Sequence, residues 1–174
     1  MNEANGRKVA FVTGAGSGIG RGTAKLFAAD GYAVAVVDMN EAGGRETVAA
    51  IRDAGGEARF IPCNVANDDS VRTAVGEAVS AWGRLDAAFN AAGIDGEAGK
   101  LTAEHSLENW QRVIDIDLNG VFYCMRHQIP QMLANGGGAI VNCASTAGLR
   151  GAAYCGPYSA AKHGVVGLTK AAGL

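Results

Sequence analysis

Short apolar runs rich in Val, Ala and Ile alternate with stretches of helical periodicity along the whole chain, and this alternation restricts the fold more than any other feature. A strand, a helix and a second strand of the same sheet require a crossover. Repeated alternation therefore predicts a parallel sheet with helices on both faces. Val9–Thr13, Ala33–Asp38, Arg59–Pro62, Ala87–Asn90 and Ala139–Cys143 read as five strands. Between and after them, Ile19–Ala29, Glu41–Ala54, Ser70–Trp82, Leu107–Leu133 and Tyr158–Ala172 read as helices. Val71, Val75 and Val79, for example, make one stripe at four-residue spacing. Pro130 falls in the last turns of the long helix, which is expected to bend or fray there. Asp95–Glu104, Asn135–Gly138 and Ala147–Pro157 read as loops and turns. The expected architecture is α/β: a doubly wound parallel sheet of about five strands in three layers, α/β/α.

With 174 residues, 48% of them hydrophobic, the chain is expected to form one domain over residues 1–174. A chain of this size buries roughly 70% of its unfolded surface. The net charge of -2 argues against broad affinity for nucleic acid or anionic membrane. The longest apolar runs, Val9–Val12 and Ala33–Val37, are too short to span a bilayer, and Met1–Arg7 is polar with no signal-peptide core behind it. Cys63, Cys124, Cys143 and Cys155 form no C-x-x-C pair and no zinc spacing with His105, His127 or His163. They read as reduced thiols in a cytoplasmic protein with no metal. The 26 glycines show no repeat and gather at strand ends and turns.

One such turn has a mechanical meaning. Thr13-Gly14-Ala15-Gly16-Ser17-Gly18-Ile19-Gly20 lies between the first strand and its helix. Glycines there let the backbone approach a pyrophosphate, and the helix N-terminus offers unpaired N–H groups and the positive end of its dipole. A Gly-rich run is also ordinary loop punctuation; the flanking strand and helix favour dinucleotide binding. No Gly-Lys-Ser/Thr follows, so a P-loop is excluded. Asp38 ends the second strand eighteen residues after Gly20. Its carboxylate can accept from ribose hydroxyls and repel a 2′-phosphate, or it can cap the next helix. Ser17 and Met39 supply no cation for a 2′-phosphate, although Arg21 and Arg45 are near in the chain. The balance favours NAD over NADP.

Tyr158-Ser159-Ala160-Ala161-Lys162 places a phenol and an ammonium four residues apart, on one helix face. A free tyrosine ionises near ~10, so it needs help to act at neutral pH. A nearby cation favours the phenolate and supplies that help. Such pairs also arise by chance as a packed tyrosine beside a solvated lysine. Ser145, thirteen residues before Tyr158, follows the fifth strand at the carboxyl edge of the sheet, where open α/β folds bind ligands. Taken alone it reads as a turn serine.

Together these residues resemble the short-chain dehydrogenase/reductase family, which has a Rossmann-type NAD(P)-binding fold. Thr13–Gly20 is similar to its T-G-x-x-x-G-x-G turn, Asn90-Ala91-Ala92-Gly93 to its N-A-G motif, and Ser145, Tyr158 and Lys162 to its catalytic serine and Y-x-x-x-K. The resemblance runs from about Lys8 to Leu174. It implies that Tyr158 exchanges a proton with the substrate oxygen and that Ser145 hydrogen-bonds that oxygen. Lys162 would hold the nicotinamide ribose and favour the phenolate. Cofactor contacts are implied at Gly14, Ser17, Gly18, Ile19, Gly20, Asp38, Met39, Asn64, Val65, Asn90, Ala91 and Gly93, with Asn90 and Gly93 lining the cleft after the fourth strand.

Three departures from the family pattern stand out. Asn64 replaces the usual aspartate that meets the adenine amino group, keeping only a carbonyl acceptor. Asp117 stands at the position of the family's fourth catalytic residue, an asparagine that supports a proton relay partly through its main-chain carbonyl. Letting Asn119 serve instead would turn the side chain about 200° round the helix. The family's C-terminal substrate-covering part is not in this sequence, which leaves Ala139–Cys143 as an expected edge strand.

Gly96–Thr102 and Ala147–Cys155 are expected to border the substrate, with Leu149, Tyr154 and Cys155 offering few charges. That suits a small secondary alcohol or ketone of apolar or modestly polar character. The resemblance also implies a homo-oligomer, a dimer or tetramer. The leading expectation is an NAD-dependent oxidoreductase. The competing ones are a dinucleotide-binding module without turnover, and an interaction protein pairing through its edge strand.

Overall fold

The computed structural model describes residues 6–97 and 99–174; residues 1–5, within the polar N-terminal stretch, and residue 98 of the long loop lie outside it. Five strands, β1 (Val9–Thr13), β2 (Ala33–Asp38), β3 (Glu57–Pro62), β4 (Ala87–Asn90) and β5 (Ala139–Asn142), form one sheet in the order β3-β2-β1-β4-β5. Every pairing is parallel. The helices are α1 (Gly18–Ala29), α2 (Glu41–Asp53), α3 (Asp68–Trp82), α4 (Leu107–Ile114), α5 (Gly120–Ala134) and α6 (Gly156–Ala172).

Alternation along the central strands divides the core into two layers. Val9 and Phe11 of β1, with Ala33, Ala35 and Val37 of β2, pack on Val71, Ala74 and Val75 of α3 and on Cys124 and Met132 of α5. Val12, Val34 and Val36 face the opposite side, with Ala24 of α1 and Val48 and Ile51 of α2. Because both faces are covered, β1 is buried at all five positions. That is why β1 and β2 read as continuous apolar runs rather than as an alternating pattern.

Strand order reverses between β1 and β4, and the loops leaving their carboxyl ends diverge to open a crevice there. At the opposite end of the sheet, Asp86 ties three strands together. Its carboxylate accepts from the Val9 N–H at 2.8 Å and from the Arg84 guanidinium at 2.5 and 2.8 Å, while its main-chain carbonyl accepts from the Ala139 N–H. Burial alone would push this carboxyl up; the Arg84 hydrogen bond, the Val9 N–H and the charges of Arg84 and Lys8 outweigh it and hold the group below the usual carboxylate range. Its contribution to stability is therefore complete above the unfolded value of about 3.9 and is lost as pH falls through the lower folded value. Asp86→Asn is expected to cost about 1–3 kcal/mol in urea unfolding at neutral pH. The deficit should shrink as pH drops below about 4.

The long helix departs from expectation at its centre. Between α4 and α5, Asp115–Asn119 form a π-helical turn, with the Gly120 N–H donating to the Asp115 carbonyl. One extra residue in a turn leaves the apolar periodicity on either side intact, so it is invisible to pattern reading. Beyond it, α5 continues helical through Pro130 to Ala134 without the expected fraying. Asn67, whose side chain accepts from the Ser70 N–H at 2.8 Å, starts α3 two residues earlier than its valine stripe suggests. β3 begins at Glu57 and α6 at Gly156, each two residues before the expected start, and short 3-10 turns occupy Thr102–Glu104 and Thr146–Gly148.

Candidate active site

The glycine-rich turn is built for close approach. A Cβ on Gly20 would stand 2.2 Å from the Gly14 carbonyl oxygen, and one on Gly14 would stand 2.9 Å from the Ala92 nitrogen, with Gly14 itself at φ +64°. The buried Thr13 hydroxyl accepts from the Ala91 and Ala92 N–H groups at 3.0 and 3.2 Å, joining the ends of β1 and β4. Ser17 leads into α1 without a side-chain cap, which leaves first-turn N–H groups available to an anion.

Arg21 and Thr47 lash this turn to α2. The Arg21 guanidinium donates to the carbonyls of Gly16 and Gly43, to the Thr47 hydroxyl and to Glu46, and the fully buried Thr47 hydroxyl donates to the Ala15 carbonyl at 2.8 Å. Asp38 completes the frame: its Oδ2 accepts from the Gly16 N–H and its Oδ1 from the Asn40 N–H, both at 2.8 Å. The cap of α2 is Asn40 rather than Asp38, so the aspartate sits at the rim of the crevice. Arg45 is engaged by Glu41 and lies over the Phe60 ring.

A second cluster forms where α6, the π turn and the loop after β4 meet. Lys162 is only 4% exposed; its ammonium donates to the Cys143 carbonyl at 3.1 Å, lies 3.3 Å from Asp117 Oδ2 and stands 5.4 Å from the centre of the Tyr158 ring. Asp117 is completely buried, and its Oδ1 accepts from the Ile94 N–H at 2.9 Å. Burial pushes the Asp117 carboxyl above its ordinary range, opposed by the Lys162 charge and the Ile94 N–H. Ser145 opens a 3-10 turn and its hydroxyl oxygen accepts from the Ala147 N–H at 3.1 Å, leaving its own proton free to donate outward. That turn lies flat on α6: a Cβ on Gly148 would stand 2.6 Å from the Lys162 carbonyl oxygen. Gly93 links the two clusters, because its Cα borders the crevice while a Cβ there would stand 3.0 Å from Asp117 Oδ2 and 3.4 Å from Lys162 Nζ.

A glycine cradle and a carboxylate at the end of β2 thus line one crevice, and the Lys162 cluster meets it at Gly93. Residues 8–174 match the family described as short chain dehydrogenase. The chain belongs to the short-chain dehydrogenase/reductase family. It is 51% identical to the cyclohexanol dehydrogenase of Acinetobacter sp. (strain SE19) over 174 residues, which cover 100% of this chain and 69% of that protein. The crystal structure of NAD+-bound xylitol dehydrogenase superposes with a TM-score of 0.92 at 35% identity, covering 98% of this chain and 65% of the other. A variant actinorhodin polyketide ketoreductase with NADPH gives 0.92 at 40% identity, covering 99% and 66%. The chain thus spans about two thirds of the length of these proteins.

In this short-chain dehydrogenase/reductase the crevice is about 370 Å³. Of the residues singled out in the sequence, Gly14, Ser17, Gly18, Ile19, Gly20, Asp38, Met39, Asn64, Val65, Ala91 and Gly93 line it. Asn90 does not. Its buried amide exchanges two hydrogen bonds with Gln128, at 2.9 and 3.1 Å, and donates to Asn142 at 2.9 Å, so it braces β4 against α5 and β5 instead of facing a ligand. Asn64 Oδ1, the acceptor expected to meet an adenine amino group, accepts from the Ala66 N–H at 3.0 Å. Asn119 turns back to Asp115, so Asp117 is the residue presented to Lys162. Leu149 and Tyr154 are 74% and 56% exposed and stand clear of the crevice. Val37, Cys63, Ile94, Ile116 and Cys143 also line it, although the sequence does not mark them as cofactor contacts. Their adjacency to Asp38, Asn64, Gly93, Asp117 and the end of β5 is the signal that could have found them.

Proposed function

We propose that this chain is the cofactor-binding and catalytic part of an NAD-dependent dehydrogenase that interconverts a cyclic secondary alcohol and its ketone. One observation carries the reading: the buried Lys162 ammonium sits beside the Tyr158 ring and next to Gly93, which borders the crevice that the glycine turn opens. The cradle fits a dinucleotide, since the space a Cβ would take at Gly14 and Gly20 is already filled by backbone and both glycines line the crevice.

In oxidation, Tyr158 takes the proton of the substrate hydroxyl, and in reduction it returns one to the carbonyl oxygen. Ser145 donates a hydrogen bond to the same oxygen and stabilises charge developing there. Lys162 holds the nicotinamide ribose and keeps positive charge beside the phenol. The bound nicotinamide supplies the chemistry of accepting or giving the hydride at the carbinol carbon. A cyclic alcohol is favoured by the likeness to a cyclohexanol dehydrogenase. Leu107, Trp110, Phe122 and Leu133 give α4 and α5 exposed apolar surface suited to a subunit contact, in keeping with a dimer or tetramer.

Asp38 supports NAD over NADP. Two unit charges 4 Å apart repel by about 1 kcal/mol in water and about 4 kcal/mol near a protein surface. Arg21 and Arg45, the nearby cations, are already committed to other partners. Calorimetry is expected to show NAD binding at least about tenfold tighter than NADP, a ratio worth about 1.4 kcal/mol, and Asp38→Ser should narrow the gap. Cyclohexanol and related secondary alcohols are expected to yield NADH. Failure to bind NAD sinks the proposal outright, and binding without turnover across such a panel reduces it to a dinucleotide-binding module.

A further inference from the structure

Asp117 is an ionisable group held fully buried beside Lys162. Its Oδ1 is spent on the Ile94 N–H, and its Oδ2 is fully buried with no hydrogen bond among the described residues. Oδ2 lies 3.3 Å from Lys162 Nζ, which also donates to the Cys143 carbonyl. The contact is an ion pair. With the Asp117 side chain 0% and the Lys162 side chain 5% exposed, solvent does little to screen it. The π turn makes this possible: it holds Asp117 inward while Leu118 packs against Gly164 of α6.

We infer that Asp117 is a positioning residue acting through Lys162: its ionised carboxylate offsets the ammonium charge felt by Tyr158, so that alcohol oxidation sets in at higher pH than an amide at this position would allow. The inference rests on the reading of Tyr158 and Lys162 as the acid–base pair. The groups around Asp117 are few. Lys162 comes from α6, with Tyr158 on its far side, and Asp95 comes from the loop after β4, adding negative charge. Asp115 of the same helix is turned to the amides of Gln111 and Asn119. Cys143, at the end of β5, accepts from Lys162 through its carbonyl, and its thiol is turned to the Ala144 carbonyl. Lys162 is thus the cation facing the carboxylate, and Tyr158 shares it. An asparagine keeps an acceptor for the Ile94 N–H and removes the charge, which isolates the electrostatic effect from the packing.

The test compares the protein with Asp117→Asn, following tyrosinate absorbance against pH in each and subtracting the Tyr158→Phe counterpart. The Tyr158 signal is expected to appear about one pH unit lower in Asp117→Asn, the low end of what a nearby charge does. The pH midpoint of kcat/KM for alcohol oxidation should move by the same amount. An unchanged onset overturns the inference even if turnover persists. A shifted onset in a protein that never turns over supports the charge effect while removing the catalytic reading. Should Asp117→Asn not fold, carbon-13 carboxyl resonances of the unsubstituted protein decide: an Asp117 ionised at neutral pH supports the offset, and one protonated throughout overturns it.

Discussion

Replacing Tyr158 with phenylalanine is expected to lower turnover by about 10²–10⁴-fold, the usual worth of a positioned acid–base group. NAD affinity should change little. The substitution removes one oxygen and keeps the ring that packs 5.4 Å from the Lys162 ammonium, so the helix and the lysine stay in place. Ser145 and the oriented cofactor remain, which should leave residual rate above background rather than none. The informative pattern is a fall in kcat with an unaltered calorimetric Kd for NAD. A variant that keeps full activity would show that another group moves the proton. Lys162→Met should behave differently, since it also strands Asp117 as a buried charge without a cation.

The second large effect is expected at Gly20. An alanine there would place its Cβ 2.2 Å from the Gly14 oxygen and 2.6 Å from the Gly14 carbonyl carbon, both main-chain atoms. Gly14 is itself flanked by the Ala92 backbone, which a Cβ on Gly14 would meet at 2.9 Å. Overpacking of this kind costs about 1–3 kcal/mol. If the turn opens to relieve it, the same energy appears as about 5- to 150-fold weaker NAD binding. Gly22 supplies the control on the same helix, since a Cβ there meets open space. Gly22→Ala should leave binding unchanged and stabilise α1 by up to about 1 kcal/mol. Equal losses from both substitutions would mean that helix propensity, and not the close approach, governs the site.

The parts of the fold that were legible are those whose burial is expressed in the residue types themselves. β1, β2 and β4 have the bounds expected of them because a parallel strand covered on both faces must be apolar along its length. The start of α3 differs from expectation because it is set by a capping amide, Asn67, and not by the valine stripe. The π turn left no trace in the sequence pattern, and with it went the reason that Asp117 faces Lys162.

At the site, the motif residues that line the crevice do so through backbone, as Gly14, Gly20, Ala91 and Gly93 show, and a backbone role follows from place in the fold. Side-chain direction is less readable. Asn90 was expected to face the ligand and instead pairs with Gln128, a residue whose buried amide nothing in the local sequence marks as a partner. Asn64 likewise closes on its own loop. Both outcomes depend on neighbours distant in sequence or on a single torsion.

The clamp formed by Arg21 and Thr47 has a consequence for how the cofactor arrives. The strap is made wholly of groups within the chain, so the cradle is standing before any dinucleotide reaches it. Docking then asks for little ordering of the glycine segment, and the encounter is governed by diffusion and orientation rather than by a slow rearrangement. Capture at this end of the crevice should be quick, with residence time left as the quantity that sets how firmly the cofactor is held.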